Sequence, residues 1–200
     1  MAARRTRADW EAECDRALQE AVGKRRDWAE VRLTRGKATM VDLADLPQVR
    51  ESGLWYALRS GRGVWRVVRH VSVGSKSSAE TLSRYLLGAR EGEQVDHRNH
   101  DSLDNRRDNL RLCTPGENLA NRRKWDHCSS RYKGVHWDRR RGMWKVEIRY
   151  QDTKRHLGYF DSEEEAASAY NAAAIDVWGE FAYINAGLPG VPAIREVCDE

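Results

Sequence analysis

The sequence predicts an α+β chain: a strand–strand–helix unit near its middle, followed by a three-stranded antiparallel sheet packed on one helix. Three observations lead there. Between residues 36 and 90, short β-like pieces (ATMVDL, LWYALRS, VWRVVRHVSV) are separated by glycines, with Gly61 and Gly63 marking a turn. Trp144, Val146, Ile148 and Tyr150 alternate with Lys145, Glu147 and Arg149, the period of two of a strand with one apolar and one charged face. Ala166, Ala169, Tyr170, Ala173, Ala174 and Val177 then recur at helical spacing, and their small side chains let the helix lie close to a sheet.

Taken in order, residues 8–31 read as an amphipathic helix through Trp10, Cys14, Ala17, Leu18, Ala21 and Val22, docked on the body or on a partner. SAETLSRYLLGA is a short helix or an extended arm. Val95-Asp96-His97 ends a strand, and Asp104 to Arg111 forms the loop and return strand of a hairpin. Thr114 caps the next helix, with Pro115 in its first turn and Glu117 completing a capping box. Asn118 and Asn121, three apart, share one side of that helix. Residues 126–131 read as a linker. Asp138 to Gly142 and Gln151-Asp152 are the turns of the sheet. The strand from Thr153 to Phe160 sets Arg155, Leu157 and Tyr159 against Lys154 and His156, and Ser162 to Glu165 forms a second capping box. Residues 187–200, with Gly187, Pro189, Gly190 and Pro192, read as a loose tail. The expected division is 1–35, 36–125, 129–186 and 187–200.

Composition narrows the function classes. With 40% hydrophobic and 33% charged residues in 200, the chain is expected to be globular rather than disordered. The formal net charge is only +4, but residues 129–160 carry +6 and residues 161–200 carry −8. That asymmetry predicts one surface that meets a polyanion and another that avoids it. Cys14, Cys113, Cys128 and Cys198 form no CxxC pair, so neither a structural zinc nor a disulfide framework is expected, and reduced thiols in a cytoplasm are. No apolar run reaches the ~20 residues of a membrane span, and the charged start, MAARRTRADWEAECD, has no signal-peptide core.

The chemistry concentrates in residues 95–124, VDHRNHDSLDNRRDNLRLCTPGENLANRRK. Phosphodiester hydrolysis near neutral pH needs a base for water and a cation at the phosphate. His97 is the natural base, because its pKa lies near the working pH. Asp and Asn offer hard oxygen donors suited to Mg²⁺ or Mn²⁺. An EF-hand loop starting at Asp96 would need Glu at the position of Arg107. His70, His100 and His127 are expected to be ordinary polar residues.

The ordered elements DH, DNRxxNLR and ENxxNR resemble the HNH nucleases, closest to the phage and intron homing branch, where Asn often fills the third position. The resemblance implies a ββα-metal core, His97 as general base, and Asp96 and Asn118 as ligands of one divalent cation. It implies Asn109 as the residue that orients the hairpin loop and the base, and Arg106, Arg107, Arg122 and Arg123 as phosphate contacts. It departs at Ser83, where relatives often carry His, and this departure favours weaker or lost cleavage.

Residues 129–185, with YKGVxW, WKVEIR and HLGYFDSEEEAASAYNAAAIDVWGEFAYIN, resemble the Apetala/ethylene-response-factor DNA-binding domain. That implies a basic sheet face entering a major groove, with contacts from Lys133, His136, Arg139, Arg140, Arg141, Lys145, Glu147, Arg149, Lys154 and His156. The plant domains favour Arg at His136 and Asp138 and Trp at His156, so their base preference does not transfer. Trp144 and Trp178 are expected in the core. The combined expectation is a metal-dependent endonuclease of the homing or phage type. It acts on double-stranded DNA in a host cytoplasm as a monomer or weak dimer, and no membrane partner is expected. The alternatives are a DNA-binding regulator with a silent nuclease core, and an RNA-processing nuclease.

Overall fold

The computed structural model describes residues 5–188, apart from 62, 74–75, 125–127 and 152. The readings that fall on His127, on Asp152, on Cys198 and on the tail from Pro189 lie outside the described residues. The chain divides into two compact units, Met1–Cys113 and Thr114–Glu200. Helices and antiparallel sheets together make it α+β.

The first unit opens with α1 (Arg7–Gly23). Thr6 and Asp9 close a capping box at its start, and Trp10, Cys14, Ala17 and Ala21 line its buried side. The helix expected over 8–31 stops at Gly23, and residues 28–32 are instead a strand. Two features explain this. Gly23 and the basic run after it break the helix, with Arg25 at a left-handed φ of 54°. Ala29 and Val31 are then buried between exposed Glu30 and Arg32, a period of two. This strand, β1 (Trp28–Arg32), pairs antiparallel with β2 (Ala38–Asp42), and Val31 faces Thr39.

After α2 (Leu46–Glu51) comes an antiparallel sheet of β3 (Tyr56–Arg59), β4 (Trp65–Val73) and β5 (Lys76–Thr81), in that order. The segment expected to be a helix or an arm is both, because β5 runs directly into α3 (Leu82–Leu87). A last hairpin joins β6 (Gln94–His97) to β7 (Leu110–Cys113). Trp10, Val31, Val41, Val49, Trp55 and Leu82 form the fully buried centre of this unit.

The second unit begins with α4 (Pro115–Asn121), capped by the reciprocal Thr114–Glu117 box. Next come β8 (Val135–Asp138), β9 (Met143–Tyr150), β10 (Thr153–Phe160) and α5 (Glu163–Trp178). The sheet order is β10-β9-β8. Val135, Val146 and Ile148 pack on Ala166, Ala167, Tyr170 and Ala174, with Trp144 and Trp178 partly buried at the margin. Ser162 accepts from the Glu165 N–H and its hydroxyl donates to Glu164, one half of the expected capping box.

One strand reading is corrected. Leu157 and Tyr159 were expected on the same face, but a bulge between His156 and Gly158 shifts the register. Leu157 and Phe160 turn to the core, while Tyr159 falls opposite Lys145 on the charged face. Gly158 permits this with a φ of 140°.

Candidate functional site

Pairing of β6 with β7 places Asp96 opposite Arg111 and His97 opposite Leu110. Asp96 is buried, and the Arg111 guanidinium donates to its Oδ2 from Nε at 2.9 Å and Nη2 at 2.7 Å. Both of these contacts fall on Oδ2. The half-buried His97 has Nε2 3.5 Å from the Asn105 Oδ1. Burial holds its pKa below the usual 6.5, while Asn105 and the carboxylates of Asp96, Asp101 and Asp104 pull the other way. The ring is therefore neutral at neutral pH and able to accept a proton.

The loop after His97 is tied down by its own polar side chains. Asn109 Oδ1 accepts from the Asn99 N–H at 2.9 Å, and its Nδ2 donates to the Asp104 carbonyl at 2.8 Å. Asn99 Nδ2 reaches Asp104 Oδ2 at 2.9 Å. Asn109 thus ties the two ends of the loop together. The residue against His97 is Asn105, which the sequence reading missed although it stands inside the quoted DNRxxNLR element. Arg111 was missed as well, and its signal was its register opposite Asp96. Arg84 is a third: from α3 it donates to the carbonyls of Glu93, Ala89 and Arg90, fixing the turn that leads into β6. Ser83 is buried beside it, 3.4 Å from the Thr81 hydroxyl.

Arg106 and Arg107, expected at phosphates, each pair with a buried carboxylate, and Arg107 stays half exposed. Arg106 grips Asp104 through Nε and Nη2, both at 2.9 Å, and Arg107 grips Asp45 at 2.7 and 2.8 Å. Asp104 is fully buried, and its carboxyl sits below the usual range: its burial acts upward, and the Arg106 guanidinium outweighs it. These arginines stabilise buried carboxylates.

Asp96, His97 and Asn109 thus come together within the first unit. Asn118 belongs to the second, on α4, where its N–H donates to the Thr114 carbonyl at 3.0 Å. Asp96 and Asn118 are oxygen donors of the kind that suit a hard divalent cation. Among the described residues no three His, Cys, Asp or Glu side chains are grouped to hold an ion, and the expected ligands pair Asp with Asn instead.

On the sheet, register sets His136 opposite Lys145, Lys145 opposite Tyr159, Glu147 opposite His156 and Arg149 opposite Lys154. These residues share one face. Glu147 bonds Lys145 at 2.6 Å and lies 4.0 Å from Lys154, so it organises the lysines of that face. Asp138 Oδ1 accepts the N–H groups of Arg140 and Arg141 at 3.0 and 3.1 Å, which shapes the Arg139–Arg141 turn. Arg141 also stacks on Tyr159, 4.3 Å from the ring centroid. Lys133 is placed elsewhere: its ammonium donates to the carbonyls of Leu119, Ala120 and Arg122 at the C-terminal end of α4. Burial pushes its pKa down to about 8. Arg122 and Arg123 are exposed at the end of α4 and line a cleft of about 830 Å³, together with Arg149, Tyr150 and Trp178.

Comparison with known proteins bears on this site directly. Residues 89–120 match the HNH endonuclease family. Over 91 residues the chain is 35% identical to a protein of Acanthamoeba polyphaga mimivirus named uncharacterized HNH endonuclease L560, a match covering 46% of each chain. Over 91 residues it is 30% identical to protein 3.8 of Escherichia phage T7, covering 46% of this chain and 74% of that protein. The chain thus spans about half the length of the mimivirus relative. No solved structure matches it. No helix among the described residues is long and apolar enough to cross a membrane. The matched stretch contains β6, β7 and most of α4 with Asp96, His97, Asn109 and Asn118, and the chain belongs to the HNH endonuclease family, with phage T7 protein 3.8 among its relatives.

Proposed function

We propose that the protein is a metal-dependent DNA endonuclease of the homing or phage type, brought to duplex DNA by the basic face of its C-terminal sheet. The observation that carries this reading is His97: a neutral imidazole beside Asp96, held at Nε2 by a buried amide, inside the HNH-matched segment. His97 takes a proton from the attacking water. Arg111, donating to Oδ2, holds the buried Asp96 in place, and Asn109 keeps the loop in register. Asp96 and Asn118 would hold a Mg²⁺ or Mn²⁺ ion, which would supply charge neutralisation for the phosphate and the leaving oxygen.

On the sheet, Arg139, Arg140, Arg141, Lys145, Arg149, Lys154, His136 and His156 meet the DNA, with Arg122 and Arg123 adding phosphate contacts. The likeness to the Apetala/ethylene-response-factor domain supports major-groove entry. Viral relatives support action in an infected host's cytoplasm, and one site per chain supports the nicking of one strand by a monomer.

The test is nicking of supercoiled plasmid from the source genome with Mg²⁺ or Mn²⁺, beside EDTA and His97→Ala. Metal-dependent nicking that falls by ~10²–10⁴ in the variant is expected. Salt-sensitive DNA binding without nicking would support the silent-core regulator instead, and preferential competition by RNA would support an RNA nuclease.

A further inference from the structure

The geometry points to Thr39, on β2 and far from the motif in sequence, as a positioning residue that sets which nitrogen of His97 carries the proton. The inference rests on the reading of His97 as the base. It starts from the polarity of a short chain of hydrogen bonds. The Leu103 carbonyl can only accept, and Thr39 Oγ1 lies 2.7 Å from it, so the single hydroxyl proton goes there. Toward Asn105, Thr39 is then an acceptor only, and Asn105 presents Nδ2 to it at 2.9 Å. That turns Oδ1 of the same amide toward His97 Nε2. An amide oxygen cannot donate, so Nε2 carries the ring proton, and a neutral imidazole then has its basic lone pair on Nδ1.

The surroundings keep the chain in this sense. Thr39 and Asn105 are each 1% exposed, so water does not compete for either. Backbone bonds fix the spacing: Met40 N to Leu103 O at 3.0 Å and Asn105 N to Met40 O at 2.9 Å. The β1–β2 hairpin is therefore more than a platform, because it reads out through one hydroxyl and one amide onto the base.

The test uses full-length protein with ¹⁵N-labelled histidine and follows the His97 ring by long-range ¹H–¹⁵N correlation at a pH where the ring is neutral, beside plasmid nicking. Wild type is expected to show the Nε2–H form. Thr39→Val removes the hydroxyl at nearly constant shape. It should give a mixture of tautomers and lower kcat on the order of ten- to a hundredfold with KM little changed. Thr39→Ser should restore both. Should Thr39→Val fail to fold, Thr39→Cys, a poor donor of similar size, takes its place with the same expectation. A dominant Nδ1–H form in wild type, an unchanged tautomer in Thr39→Val, or a Thr39→Ser that behaves like Thr39→Val would overturn the inference. If wild type never nicks yet the ring signals follow the expected pattern, the nuclease reading fails and the positioning role stands.

Discussion

In the first unit Arg106, Arg107 and Arg111 lie against Asp104, Asp45 and Asp96, each at 2.7–2.9 Å. In the second, Arg139, Arg140, Arg141 and Arg149 stand exposed on the sheet and its turn. One residue type serves two ends. Beside a buried carboxylate, arginine is scaffold: the desolvated acid needs a planar, permanently charged partner. On an exposed strand face with alternating register, it is available to a polyanion. A motif rich in arginine therefore does not by itself mark a phosphate site; the burial of the nearest carboxylate decides.

The sharpest way to break this comparison is to remove a scaffold arginine. Arg111→Ala leaves Asp96 buried without its guanidinium, and a loss of ~3–5 kcal/mol of stability is expected, because an uncompensated buried charge is among the costliest single changes. Thermal or urea unfolding checks it, and a loss under ~1 kcal/mol would show that water reaches Asp96 and that the pair is not structural.

A comparable lesion in the second unit has nothing to do with charge. Gly134 has a φ of 79°, and a Cβ there would stand 1.9 Å from the Tyr170 ring and 2.9 Å from the Glu147 carbonyl. Tyr170 is buried in the core under the sheet and has little room to retreat. Gly134→Ala should cost on the order of 3 kcal/mol, from overpacking together with the left-handed backbone. Loss of DNA binding before any loss in intrinsic nicking would separate the two units functionally.

Arg107→Gln and Arg149→Gln sharpen the comparison further. The first should cost ~1 kcal/mol or less in stability, since its guanidinium is half exposed, and leave the salt dependence of DNA affinity unchanged. The second should leave stability alone and reduce the slope of log affinity against log salt by ~1. Filter binding across a salt series reads both, and a slope change in Arg107→Gln would return that residue to the DNA contacts.

Legibility in the sequence followed locality. The Thr114–Glu117 cap, the Gly61–Gly63 turn and the alternation from Trp144 to Tyr150 depend on neighbours within a few residues, and all could be read directly. The helix over 8–31 was overrun because its polar residues fit either period, and only the tertiary pairing of Val31 with Thr39 decides for a strand. The misassigned face of Tyr159 came from one bulged residue, which no period-two count detects. At the candidate site, Asp96, His97 and Asn109 were visible in order. Thr39, Asn105 and Arg111 were not, because their roles come from contacts across up to 66 positions.

The smallest effect expected compares one histidine from each unit. Burial lowers the pKa of His97, and partial burial with the nearby Lys124 ammonium lowers that of His136. Each ring is neutral above its shifted pKa and cationic below it, so both change charge at a pH under 6.5. The consequences have opposite signs. Protonated His97 can no longer accept a proton from water, so cleavage falls on the acid side. Protonated His136 adds a positive charge to the sheet face, so DNA affinity rises over the same range, by about one further counterion released. Measured at constant salt, nicking rate and DNA affinity should therefore diverge as pH drops below 6.5. His136→Gln should flatten the affinity curve without moving the rate curve. If both fall together, the acid transition belongs to unfolding rather than to these two rings.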